Sequence, residues 1–70
     1  MQIRTNLNAG AITVYGSQGC AWTQKQLASL DQKGIAFTFV DCDRQNCPDF
    51  VEAYPTLDIN GQLRIGFQEL

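Results

Sequence analysis

A polar, helix-patterned run lies between two apolar, β-rich runs, and that arrangement most restricts what this chain can fold into. Ala11-Ile12-Thr13-Val14-Tyr15-Gly16 reads as a strand, apolar enough to be central in a sheet and buried on both faces. From Cys20 to about Lys33 the pattern is helical. Thr23, Leu27 and Leu30 recur at i, i+4 and i+7, and Ala28 widens the apolar side. Gln24, Lys25, Ser29, Gln32 and Lys33 form the wet face. Gly34 stands where a left-handed helix C-cap belongs, after a lysine that suits the negative helix end. Residues 35–41, Ile35-Ala36-Phe37-Thr38-Phe39-Val40-Asp41, give a second strand. A strand, a helix of about fourteen residues and a strand make a βαβ unit, with parallel strands and a right-handed crossover.

The rest of the chain is shorter punctuation. Cys42 to Cys47 is a polar loop, and Pro48 suits the first position of a short helix over 48–53. Tyr54-Pro55-Thr56 interrupts. Leu57-Asp58-Ile59 alternates as a half-buried strand, Asn60-Gly61 is a strong two-residue hairpin signal, and Gln62-Leu63-Arg64-Ile65 returns. Gly66-Phe67-Gln68-Glu69-Leu70 reads as a helix entrance cut short. Residues 1–10 read as a loose N-terminal arm, and 1–70 as a single domain.

Composition excludes several function classes. Five basic residues, spread from Arg4 to Arg64 in a chain of net charge −2, make no patch for nucleic acid. No apolar run approaches the roughly 18–20 residues of a membrane span. The first residues lack the apolar region of a signal peptide, which makes a cytoplasmic location the expectation. Three cysteines and no histidine cannot build a four-ligand structural zinc site from one chain, so no metal is expected.

The chemistry lies with the cysteines. Cys20 comes after the Gly16–Gly19 loop, at the start of the helical run. There, unpaired N–H groups and aligned peptide dipoles favour a thiolate, which can attack a disulfide sulfur. The plainer reading is a small buried core residue. Thr23, three residues on, can offer its hydroxyl to the Cys20 sulfur or can be an ordinary helix-surface threonine. Trp22 is a large apolar surface beside the thiol, suited to dock a substrate or partner, or to pack against the N-terminal arm. Cys42 and Cys47 are spaced to close a six-residue ring, worth about 2 kcal/mol by the loop-entropy model. They can equally stand as two thiols in a reducing compartment.

The order βαβ, short helix, proline, ββ, with a cysteine after the first strand, resembles the thioredoxin fold, and glutaredoxins most closely. The resemblance rests on Tyr15-Gly16-Ser17-Gln18-Gly19-Cys20, Tyr54-Pro55-Thr56, Ile59-Asn60-Gly61-Gln62 and Gly66-Phe67-Gln68-Glu69-Leu70. The thioredoxin-like domain of bacterial vitamin K epoxide reductase homologues is also similar, in Val40-Asp41-Cys42-Asp43 and Tyr54-Pro55-Thr56. The resemblance implies a four-stranded mixed sheet, here in a minimal version without the C-terminal helix. It implies that Cys20 is the nucleophile and Pro55 a cis-proline. Tyr54, Pro55, Thr56 and Trp22 would then contact substrate, and the backbone N–H groups from Gly66 onward would face a glutathione carboxylate. It also makes a Cys42–Cys47 disulfide reasonable.

Two departures qualify it. Thr23 replaces the second active-site cysteine, which leaves a monothiol route with glutathione as co-substrate and no bound cofactor. The absent last helix predicts a homodimer or a protein partner covering the side it leaves. A non-catalytic binding module, docking a partner through the Cys20, Trp22 and Pro55 face, is the rival reading.

Overall fold

A computed structural model of the protein describes residues 12–70. Strand β1 (Ile12–Gly16) leads to helix α1 (Ala21–Gln32), then to β2 (Thr38–Asp41), β3 (Thr56–Ile59) and β4 (Gln62–Ile65). The sheet runs β2-β1-β3-β4. β1 pairs parallel with β2, from Thr13 opposite Thr38 to Gly16 opposite Asp41. It pairs antiparallel with β3, Val14 opposite Leu57 and Tyr15 opposite Thr56. β3 and β4 form the expected hairpin, with Asn60 (φ 54°) and Gly61 (φ 87°) both in the left-handed region that a tight two-residue turn demands. This is the mixed four-stranded sheet that the sequence predicts, and among the described residues none after β4 is helical.

One face of the sheet packs on α1. Val14, Leu57 and Leu30 are fully buried, with Ile12, Leu27, Ile35, Phe37, Phe39 and Ile59 packed around them. The helix ends in a Schellman motif. Ile35 N–H donates to the Leu30 carbonyl (2.9 Å) and Gly34 N–H to that of Asp31 (3.1 Å), with Gly34 at φ 70°. That closure takes residue 35 into the helix end, so β2 begins at Thr38 and not at 35.

Other expectations also need correction. Residues 48–53 form no helix. Val51 N–H donates to the Pro48 carbonyl (3.0 Å) as a single turn, and the Ala53 carbonyl is taken by the Thr56 hydroxyl (2.7 Å). A disulfide anchors one end of that segment and a buried proline the other, leaving too few residues to offset helix nucleation. The face opposite α1 is consequently open. Leu63 is 44% exposed and Ile65 62%, and Tyr15 is only half-buried, Phe50 standing edge-on to it at 5.4 Å. β1 is therefore central but not buried on both faces.

The outer side of α1 is, by contrast, partly covered. Residues 67–70 lie against α1, where the Gln26 side chain bonds both the N–H (2.5 Å) and the carbonyl (3.0 Å) of Gln68. Lys33 holds the Leu70 carbonyl (2.8 Å) and the Glu69 carboxylate (3.1 Å). Gln26 is completely buried by this pairing, whereas Ala28, expected on the apolar side, is exposed. The N-terminal arm, and any packing of Trp22 against it, lie outside the described residues.

Candidate active site

The sheet registers bring four separate pieces of chain to one end of the sheet. Gly16 ends β1 opposite Asp41, so Cys42 begins its loop next to the Gly16–Cys20 loop. Tyr15 faces Thr56, so Pro55 lies just beyond, and Thr56 faces Ile65, which puts Gly66 at the same level. Two backbone bonds join these pieces: Cys42 N–H to the Gly16 carbonyl (2.8 Å) and Gly66 N–H to the Pro55 carbonyl (2.7 Å).

Cys20 is the N-cap of α1, with extended backbone (φ −94°, ψ 122°). Its carbonyl accepts from Gln24 N–H (3.1 Å), and its N–H donates to the Ser17 carbonyl (3.0 Å). The side chain is half-buried and is the one free thiol, because Cys42 and Cys47 are bonded. The thiol pKa is held below its ordinary value. The Thr23 N–H is the largest cause, the Thr23 hydroxyl adds to it, partial burial opposes it, and the Trp22 N–H contributes least. These donors favour the thiolate because a charged acceptor gains more from them than a neutral thiol.

Thr23 is therefore no surface residue. It is fully buried against Gly16, where a Cβ would meet Thr23 Oγ1 at 2.6 Å and Cγ2 at 2.7 Å. Only glycine lets the helix side chain come this close to β1. Ser17 N–H reaches Thr23 Oγ1 from the loop (3.4 Å). Trp22 points outward, 55% exposed, with Lys25 Nζ 4.9 Å above its ring and Phe67 beside it at 6.0 Å.

The Tyr54–Pro55 bond is cis. Tyr54 is exposed, while Pro55 and Thr56 are buried, so the rings exposed at this end of the sheet are Trp22 and Tyr54 and not the proline ring. Gly66 lies here as expected, but its N–H is already committed to Pro55 and that of Gln68 to Gln26, so neither donor is open to a carboxylate. Sequence reasoning passed over Ser17, Gln26 and Asp43. Gln26 had a signal, a polar residue on the stripe between Thr23 and Leu30. Ser17 Oγ donates to Asp43 Oδ2 (2.5 Å) across 26 residues, and nothing local announces that pair.

No family model and no curated protein matches the chain. Solved structures do. A glutaredoxin from Methanosarcina mazei Go1 is similar at TM-score 0.73 and 26% identity, over 87% of this chain and 72% of that one. A glutaredoxin from Archaeoglobus fulgidus shares the fold at TM-score 0.70 and 18% identity, over 94% of this chain and 88% of the other. Sheet order, the cysteine at the start of α1 and the cis-proline opening β3 agree with that likeness, and the chain has the thioredoxin-like fold of these glutaredoxins.

Proposed function

We propose that this chain is a glutaredoxin-like thiol–disulfide exchange protein acting through Cys20 alone. The observation that carries the reading is the place of Cys20, a half-buried free thiol at the N-cap of α1, where the Thr23 and Trp22 N–H groups and the Thr23 hydroxyl lower its pKa. The Cys20 thiolate attacks one sulfur of a substrate disulfide. The S–S bond breaks, the other sulfur leaves as a thiolate and takes up a proton, and a mixed disulfide remains on Cys20. Thr23 supports the thiolate but has no sulfur with which to resolve that intermediate. An external thiol, glutathione as co-substrate, attacks the mixed disulfide and returns Cys20 to its thiolate. The substrate is a disulfide-bearing protein or glutathione disulfide, met in the cytoplasm, with Trp22 and Tyr54 bordering it, since Pro55 and Thr56 are buried. Glutathione is held without the Gly66 N–H, which Pro55 already occupies.

The test is exchange on a peptide–glutathione mixed disulfide. Cys20→Ser abolishes turnover, and the wild-type chain forms a covalent adduct on Cys20 that free glutathione releases. Retention of turnover by Cys20→Ser overturns the reading.

A second reading, a binding module without turnover, draws on the exposure of Trp22. A partner would dock on Trp22 and Tyr54 beside Cys20, or a second copy would cover the open sheet face at Leu63 and Ile65. Tight partner binding that Trp22→Ala removes, in a chain with no exchange activity, would favour it.

A further inference from the structure

The two cysteine-bearing loops at the end of the sheet are joined by a continuous path of hydrogen bonds, and Ser17 is its midpoint. Every polar group of Ser17 is used. Its N–H donates to Thr23 Oγ1 (3.4 Å) and its carbonyl accepts from Cys20 N–H (3.0 Å). Its hydroxyl oxygen accepts from Gly19 N–H (3.2 Å) and its hydroxyl proton goes to Asp43 Oδ2 (2.5 Å). Because Ser17 N–H approaches the Thr23 oxygen, Ser17 leaves the Thr23 hydroxyl proton uncommitted, and that hydroxyl is one of the groups that lower the Cys20 pKa.

Asp43 is held for this contact by the Cys42–Cys47 ring. Asp41 builds the turn: its Oδ1 accepts from Asp43 N–H (3.0 Å), and its carbonyl accepts from the N–H groups of Arg44 (3.0 Å) and Gln45 (3.2 Å). The disulfide then closes the loop, with Cα atoms 5.4 Å apart, and Cys42 N–H fastens it to Gly16, the residue before Ser17. Residues 43–46 within the ring are exposed, so only the closure and these few bonds fix where Asp43 points.

We propose that Asp43 is a positioning residue for Cys20 and that the Cys42–Cys47 disulfide controls it, making the ring a redox switch on the reactive thiol. The proposal rests on the reading of Cys20 as the exchange thiol. With the ring closed, Asp43 holds Ser17, Ser17 seats the Thr23 hydroxyl, and the Cys20 thiolate keeps its donors. Opening the ring takes two electrons from a dithiol reductant. One thiolate of the reductant attacks a ring sulfur, the Cys42–Cys47 bond breaks, and the departing sulfur takes up a proton. The second thiolate of the reductant then displaces the mixed disulfide, leaving two ring thiols and an oxidised reductant. Asp43 is released from Ser17, and Cys20 becomes the weaker nucleophile.

The experiment tracks the pH midpoint of Cys20 alkylation, read by mass on the tryptic peptide that ends at Lys25 and contains no other cysteine. Asp43→Ala, with the ring still closed, raises the midpoint enough to lower the thiolate fraction below it by roughly threefold or more. Asp43→Asn keeps an oxygen for the Ser17 hydroxyl and stays within about 0.2 units of wild type. Cys42→Ser/Cys47→Ser shifts in the same sense as Asp43→Ala. Wild type with its ring opened by a dithiol shifts that way too, which serves if the double variant does not fold. An unchanged midpoint in Asp43→Ala or in the ring-opened chain overturns the proposal. So does a lowered midpoint in both Asp43→Ala and Asp43→Asn, the outcome if Asp43 acts only as a negative charge. Exchange by Cys20→Ser would remove the functional reading while leaving these shifts standing, so the two failures are separable.

Discussion

The two cysteine-bearing loops lie side by side at one end of the sheet and handle sulfur in opposite ways. At Cys20 the chain stops a strand, turns through Ser17 and Gly19, and starts a helix, so the sulfur stands at a first turn whose unclaimed N–H groups lower its pKa. At Cys42 the chain stops a parallel strand and starts a turn built by Asp41, so the sulfur meets another sulfur five residues on. The first loop uses its backbone to stabilise one charged atom. The second uses a covalent bond to fix a carboxylate. A helix start after the strand makes the cysteine a reagent, and a closed turn makes it a staple.

The sharpest way to break the first loop without touching the second is Gly16→Ala. The added Cβ would lie 2.6–2.7 Å from Thr23 side-chain atoms, and Thr23 cannot withdraw because it is enclosed between α1 and β1. Overpacking of this kind costs about 3 kcal/mol. Urea unfolding should show that loss, the Cys20 alkylation midpoint should rise as Thr23 is displaced, and mass analysis should find the ring disulfide unchanged. A variant as stable as wild type would mean that α1 moves away from β1 at little cost.

Removing the staple is the next largest change. Cys42→Ser/Cys47→Ser should lower stability by about 2 kcal/mol, as expected for a ring of six residues. The same loss should appear in wild type unfolded in the presence of a dithiol. A double variant of wild-type stability would show that Asp41 and its turn bonds already hold the loop without the disulfide.

The element order, the hairpin and the place of Cys20 were legible because each rests on local chemistry. Apolar periodicity marks α1, Gly34 marks its end, and Asn60-Gly61 marks the turn. The failures all come from contacts between distant residues. The helix expected over 48–53 has the right residues, but it is confined between a disulfide to Cys42 and the buried start of β3. Gln26 looks like a solvent residue until Gln68, 42 positions on, supplies a backbone N–H and carbonyl for its amide. That pairing also explains why the exposed apolar side lies at Leu63 and Ile65 and not beside α1, where the missing last helix had suggested it. Ser17 and Asp43 are ordinary loop residues in sequence and meet only because β1 and β2 are parallel and end together.

The smallest expected effect isolates a single proton. Thr23→Val keeps the shape packed against Gly16 but removes the hydroxyl from the Cys20 sulfur and from Ser17 N–H, whose bond at 3.4 Å is long. Stability should change by about 1 kcal/mol or less, because the lost bonds are few and the volume is kept. The thiol should behave differently. In the wild type the folded pKa lies below the unfolded one, so the thiolate stabilises the fold above the unfolded value. That contribution is lost as pH falls through the folded value. In Thr23→Val the folded value moves only part of the way back toward the unfolded one, because the Thr23 and Trp22 N–H groups remain, and the slope of stability against pH in the neutral to mildly alkaline range should flatten in part. The chain suits this measurement: it has no histidine, and Cys42 and Cys47 are bonded, so among its side chains Cys20 is the one expected to titrate in that range. A slope unchanged by the substitution would assign the lowered pKa to the backbone donors of the first helical turn alone, and Thr23 would then be a packing residue.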